Sequence, residues 1–217
     1  MFFEDRIEAA RLLADRLDAY KGRDCVVVAV PRGAVPMGLF LSRALTCAFT
    51  LAPVRKVASP LAPEFALGAA DVEGNFYPDE DSLNLPQDQL RLWFKKSLDI
   101  LRQRMHKWRV VLAPVSLKNK TVIIVDDGVA TGSTLRAALM WCRRKEPHEI
   151  VVAVPVSSRE GLDLMHRFAD AVVCLEHPRQ FNAVGDFYLR FDEVTNEDVY
   201  FILRSLQAEV DGVETNL

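Results

Sequence analysis

The strongest constraint on the fold is a rhythm. Short runs of Val, Ile and Ala, at 25–30, 121–125, 149–156 and 171–175, alternate with longer stretches whose apolar residues recur every three or four positions. The runs are apolar almost throughout, not at every second residue, which is the pattern of strands buried on both faces. Further strands are expected at 49–57, ending in the paired bases Arg55 and Lys56, and near 65–72, after a proline-rich loop at 58–63. A helix is expected at 7–17, where Ile7, Ala10, Leu13, Ala14 and Leu17 share a face and Gly22 closes the element. Others are expected from Pro36 to about 45, at 133–144, at 159–168 and at 194–206. Thr195 stands three residues before Asp198, the spacing of an N-capping pair. Strands alternating with helices predict an α/β fold, a mainly parallel sheet with helices on both faces and right-handed crossovers. Ligands of such sheets sit beyond the carboxyl ends of the strands.

One segment breaks the rhythm. Phe94, Leu98, Leu101, Met105 and Trp108 form a helical apolar stripe, while Arg91, Lys95, Lys96, Arg102, Arg104, Lys107 and Arg109 make the rest of that helix basic. We read it as a helical insertion at about 83–113 in a single domain spanning 1–217. It could serve as a lid, a homodimer element or a polyanion contact, or its bases could form a plain solvated face. The whole chain of 217 residues carries a net charge of −3, which argues against nucleic acid as a partner unless a basic patch is locally concentrated. The first residues are acidic where a secretory signal is basic, and no apolar run reaches membrane-spanning length. The four cysteines form no CxxC pair, and Cys25, Cys47 and Cys174 lie in or beside apolar runs. Buried thiols are therefore expected in preference to disulfides or zinc, and with them a soluble, cytoplasmic protein.

The chemistry concentrates at 122–134, VIIVDDGVATGST. Four apolar residues bury a strand, Asp126 and Asp127 stand at its carboxyl end, and a small hydroxyl-rich turn leads into a helix. Gly132 and Ala130 allow close backbone approach to a ligand. The free amides of the helix start, with the hydroxyls of Thr131, Ser133 and Thr134, suit a phosphate dianion. The two carboxylates can accept from vicinal hydroxyls or lie near magnesium, which takes carboxylate, water and phosphate oxygens. A diol beside a terminal phosphate describes a ribose 5-phosphate.

This segment resembles the phosphoribosyl pyrophosphate signature of type I phosphoribosyltransferases. The order of segments is further similar to a bacterial and archaeal group of predicted phosphoribosyltransferases, through VPRG at 30–33, VRKV at 54–57, PEFALG at 63–68 and FNAVG at 181–185. The resemblance implies a cytoplasmic transferase of nucleotide salvage. With magnesium it would transfer the phosphoribosyl group of phosphoribosyl pyrophosphate to a nitrogenous base and release pyrophosphate. It places the ribose hydroxyls on Asp126 and Asp127 and the 5-phosphate on Ala130, Thr131, Gly132, Ser133 and Thr134. The pyrophosphate falls to Arg32, Gly33, Arg55 and Lys56, although Arg55 and Lys56 could equally be solvated strand-end charges. A carboxyl-terminal hood at about 176–190 would read the base, with Phe181, Asn182 and Tyr188 as candidates beside His177, Arg179 and Phe187; the aromatics could instead be core under a loop. The family's 6-oxopurine enzymes usually carry an aspartate where Ala130 stands, so the resemblance speaks against a 6-oxopurine. The rival implied by the same resemblance is a non-catalytic sensor of phosphoribosyl pyrophosphate. A synthetase of that metabolite is disfavoured by the lack of a GxxxxGK loop.

Overall fold

The computed structural model describes residues 2–59 and 62–214. Five strands form a fully parallel sheet in the order β2-β1-β6-β7-β8: β1 Cys25–Ala29, β2 Ala48–Leu51, β6 Thr121–Val125, β7 Glu149–Val156 and β8 Ala171–Glu176. The pleat sorts side chains to two cores. Cys25, Val27, Ala29, Ile123, Val125, Val151 and Ala153 point one way, while Val26, Val28, Val122, Ile124, Ile150 and Val152 point the other. Every one is at most 3 % exposed, as continuous apolar runs require.

The first core is closed by α1 Arg6–Arg16, α2 Val35–Leu45, α3 Gln87–Arg109 and α6 Asn196–Glu214. The second is closed by α4 Ser133–Arg143 and α5 Arg159–Phe168. Local signals set the boundaries. Asp5 caps α1 by accepting the amides of Ile7 and Glu8, a proline opens α2, and Ser158 caps α5. Thr195 and Asp198 exchange the reciprocal bonds expected of them at the head of α6.

The expected strand at 49–57 is two strands in two sheets. Ala52 makes the last bond to β1, donating to the Ala29 carbonyl at 2.9 Å, and Pro53 then breaks the ladder because it has no amide hydrogen. The chain leaves the parallel sheet to form β3 Val54–Ser59, which pairs antiparallel with β4 Ala62–Asp71, itself paired with β5 Phe76–Pro78. Arg55 and Lys56 thus sit within a separate three-stranded flap and not at the end of a core strand. The loop expected at 58–63 falls partly outside the described residues, and its described ends belong to β3 and β4.

The apolar stripe of α3 is inside, with Leu98, Leu101, Met105 and Trp108 buried and Phe94 packed against Phe76 of the flap at 5.4 Å between centroids. Full burial of side chains this large contributes about 1.5–3 kcal/mol each, enough to hold the helix firmly. No helix among the described residues is long and apolar enough to cross a membrane.

The cysteine reading needs a correction. Cys25 and Cys47 form a disulfide, with Cα atoms 5.2 Å apart. The cause is register: Val26 faces Ala48 across β1 and β2, so the residues one step earlier face each other too. Cys142 and Cys174 are free thiols, and burial pushes both upward in pKa, Cys174 to about 11.

Candidate functional site

Strand β6 ends at the carboxyl edge of the sheet and hands over directly to Asp126 and Asp127. Asp127 is gripped from three sides. Its Oδ2 accepts from Arg6 Nε at 2.8 Å, in a pair whose side chains are only 12 and 15 % exposed. Its carbonyl accepts from the Tyr188 hydroxyl at 2.6 Å. Its own amide donates to Asp126 Oδ1 at 2.9 Å. Arg6 is in turn fixed over the Phe191 ring, 3.8 Å from the centroid, and donates to the Asp192 carbonyl at 2.7 Å.

The third wall is the β1–α2 loop, whose Pro31–Arg32 peptide is cis. Gly33 lies so close to the acids that a Cβ there would sit 1.9 Å from Asp127 Oδ2. Only a residue without a side chain fits.

Burial raises the pKa of both acids. At Asp126 the neighbouring charge of Asp127 adds to burial, and the carboxyl is held well above its usual range. At Asp127 burial again dominates, with Arg6 pulling the other way without cancelling it. A crowded carboxylate pair of this kind gains from any ligand bringing hydrogen-bond donors or positive charge.

Beyond the acids, Gly132 has φ 79°, and as the N-cap of α4 it leaves the helix start with no side-chain cap. The Thr131 and Ser133 hydroxyls lie 3.2 Å apart at this open end. Ala130, Thr131 and Ser133 line a cavity of about 860 Å³, and Thr134 lines a second of about 460 Å³; Lys56 lines both. Arg32 and Arg55 line the second cavity as well, and Arg32 also pairs with Glu193 at 2.6 Å. The loop expected to hold phosphate, the acids and the residues expected to meet pyrophosphate therefore converge on one edge of the sheet.

Two residues here carry no signal in the sequence. Arg6 reaches Asp127 across 121 positions, and nothing local to either announces it. Asp79, between β5 and α3, accepts from the Ser133 hydroxyl and from Arg136 at 3.0 Å, placing a carboxylate against the open loop.

The hood candidates separate. Phe181 stacks on Phe187 at 5.4 Å and lines a surface cavity with His177 and Arg179, while Asn182 is exposed. Tyr188 is corrected: it is 7 % exposed, its ring lies between Phe3 and Phe191, and its hydroxyl is committed to Asp127. Such a ring offers no face to a base and instead braces the acid pair.

As to metal, no cluster of three or more His, Cys, Asp or Glu residues with ligating geometry occurs among the described residues. The donor set is thus two carboxylates, one already held by Arg6. That fits a magnesium ion bound chiefly through ligand phosphates and water, and does not fit a metal caged by protein alone.

The family model described as phosphoribosyl transferase domain matches residues 4–191. Two Mycobacterium tuberculosis sequences, from strains CDC 1551 and H37Rv and provisionally named phosphoribosyl transferases, are 33 % identical over 204 residues, covering 93 % of this chain and 46 % of their own length. The chain therefore spans about half the length of the curated relatives it matches. The crystal structure of TT1426 from Thermus thermophilus superposes with a TM-score of 0.79 at 40 % identity, covering 94 % of this chain and 99 % of that one.

Proposed function

The chain belongs to the phosphoribosyl transferase domain family, and from that premise we propose that it binds phosphoribosyl pyrophosphate at the edge of β6 and transfers the phosphoribosyl group to a nitrogenous base, releasing pyrophosphate. The observation that carries this reading is the contact of the Gly33 loop with Asp127 beside the uncapped start of α4. It supports reading the acid pair as the diol site between two anion-binding loops, the order in which 5-phosphate, sugar and pyrophosphate are joined in that ligand.

In this reading the amides at the start of α4, with Thr131, Ser133 and Thr134, hold the 5-phosphate, and Ala130 and Gly132 let the backbone close on it. Asp126 and Asp127 accept the ribose hydroxyls, which add donors to those that Arg6 and the Asp127 amide already supply. Arg6 keeps Asp127 oriented. Arg32, Gly33, Arg55 and Lys56 face the pyrophosphate, where cations stabilise the charge that develops as the bond to the anomeric carbon breaks. Magnesium, bound through the phosphates with Asp126 as the protein carboxylate, would neutralise part of that charge. A ring nitrogen of the base attacks from the opposite face, and the anomeric carbon inverts. Catalysis rests on positioning and electrostatics, with no covalent protein intermediate. Phe181 and Asn182 are the hood residues left to meet the base, and Ala130 gives a 6-oxopurine no acidic partner.

The test is a pyrophosphate-release assay with and without magnesium, using purine, pyrimidine and pyridine bases and Asp127→Asn as control. Base-dependent release that disappears in the variant supports transfer. Tight binding of phosphoribosyl pyrophosphate with no release for any base would favour the sensor function. Absence of binding would refute both.

A further inference from the structure

The cavity of about 460 Å³ lies between the Pro31–Arg32 loop, β3 and α3, and it is lined by cations from all three: Arg32, Arg55 and Lys56, then Lys96 and Arg104 of the basic helix. No carboxylate is among its described lining residues. Six of the seven bases on α3 are exposed, but Arg104 turns inward and is half-buried. Its Nε, like that of Arg55, is shut off from solvent without a hydrogen-bond acceptor. Beyond that it lies 5.5 Å from the centroid of the Trp108 ring, an attraction too weak to satisfy a dehydrated guanidinium. Burial lowers the Arg104 pKa to about 10, with the charges of Arg55 and Arg32 acting in the same direction. Arg55 is depressed by burial and by Arg32.

Of the three guanidiniums, Arg32 is paired with Glu193 while Arg55 and Arg104 each hold a buried Nε donor without a partner, which is costly. An anion carrying several charges would relieve that cost. A fully solvated basic face would show none of this, since its donors would reach water. The position of the cavity narrows the anion further, because Thr134 of the loop assigned to the 5-phosphate and Arg32 of the β1–α2 loop both line it.

We infer that Arg104 of α3, with Lys96 at its rim, completes the pyrophosphate subsite, so that the basic helix supplies part of the active site. The inference rests on the proposed binding of phosphoribosyl pyrophosphate and adds a residue to it that no motif of the sequence marks. Arg104 donates to the pyrophosphoryl oxygens and makes no contact with the ribose 5-phosphate half.

Calorimetry on the full chain separates the two halves of the ligand. Arg104→Gln is expected to weaken both inorganic pyrophosphate and phosphoribosyl pyrophosphate by about tenfold to a hundredfold, the loss of a charge-assisted contact. It should leave ribose 5-phosphate within about twofold, the scatter of neutral surface changes. Arg104→Lys should recover part of the loss, and Arg91→Gln, an exposed base on the same helix, should change nothing. Because Arg104 is a crowded cation, Arg104→Gln should also melt no lower than the parent chain. Unchanged affinity for phosphoribosyl pyrophosphate in Arg104→Gln would overturn the inference while leaving the function intact. Equal weakening of ribose 5-phosphate would assign Arg104 a structural role and overturn it too. A parent chain that binds neither phosphate ligand, or binds short RNA with steep salt dependence in their place, would remove the functional premise itself.

Discussion

Replacing Gly33 by alanine adds one methyl group against the acid pair, and its cost can be worked from distances. The new Cβ would lie 1.9 Å from Asp127 Oδ2 and 2.7 Å from Cγ. Gly33 is not among the glycines of positive φ, so the backbone accepts alanine and the penalty lies in contact alone. Carbon–oxygen contact begins near about 3.3 Å, so the carboxylate must retreat by roughly 1.4 Å. That same oxygen holds Arg6 at 2.8 Å, and it cannot move so far and keep the bond. Breaking a buried ion pair costs about 3–5 kcal/mol. Asp127 retains some exposure and, with its pKa already raised by burial, can take up a proton, so about 2–3 kcal/mol is the discounted figure. For a chain of this length the expected fall in Tm is about 4–12 °C. Asp127→Ala removes the atoms that clash, so Gly33→Ala in that background should cost less than about 0.5 kcal/mol. Urea unfolding of the parent, both single variants and the double variant measures the coupling. Equal cost of Gly33→Ala in the two backgrounds would refute the close packing of loop and acid.

Asp126 has a folded pKa raised above its usual 3.8, so its contribution to stability is complete below that value and is lost as pH rises through the folded pKa. Asp126→Asn should therefore raise Tm at neutral pH relative to the parent, lose that advantage in acid, and abolish activity; a lower Tm at pH 7 counts against the argument. Asp71 is opposite in sign: its side chain is fully buried, yet bonds from Asn75, Tyr77 and Arg144 outweigh burial and lower its pKa. Its stabilisation is present above the usual carboxylate range and lost as pH falls through the depressed value. Arg144→Gln should cost about 3 kcal/mol and speed hydrogen exchange across β5, and unchanged exchange would dissociate Arg144 from the flap. The Cys25–Cys47 bond closes a loop of 22 positions, worth about 3 kcal/mol in chain entropy. Reduction, or Cys47→Ala, should lower Tm by about 6–12 °C, and an identical melt before and after reductant would argue that the bond does not constrain the unfolded chain.

The segment 122–134 was legible because its chemistry is local: the strand, the acids, the turn and the helix start are consecutive residues. The two-faced burial of β1, β6 and β7 was legible for the same reason. What sequence could not supply were contacts made across the sheet. Arg6 finds Asp127 only after α1 has packed on the first core, and Cys25 finds Cys47 only once β1 and β2 are in register. Pro53 did mark the break between β2 and β3, but Phe49, Leu51, Val54 and Val57 are all apolar and disguise it as one run. Tyr188 looked like a base-facing aromatic because hydrophobicity and ring shape are common to stacking platforms and core; only its hydroxyl partner decides between them.

The bracing of the acid pair also has a consequence for the order in which the protein can be made. Phe3 pairs with Tyr188, its amide donating to the Phe187 carbonyl at 2.8 Å, and Arg6 rests on Phe191. Arg6 and Gly33 leave the ribosome before Asp127, and Tyr188 and Phe191 well after it. Closing contacts of such long sequence separation is slow, so a nascent chain carries two unbraced aspartates at its strand end from the emergence of Asp127 until that of Tyr188 and Phe191. The chain can assemble much of its sheet before that point, but competence to bind would arrive abruptly, when residues 187–191, made on the order of several seconds of translation after Asp127, lock Phe3 and Arg6 into place.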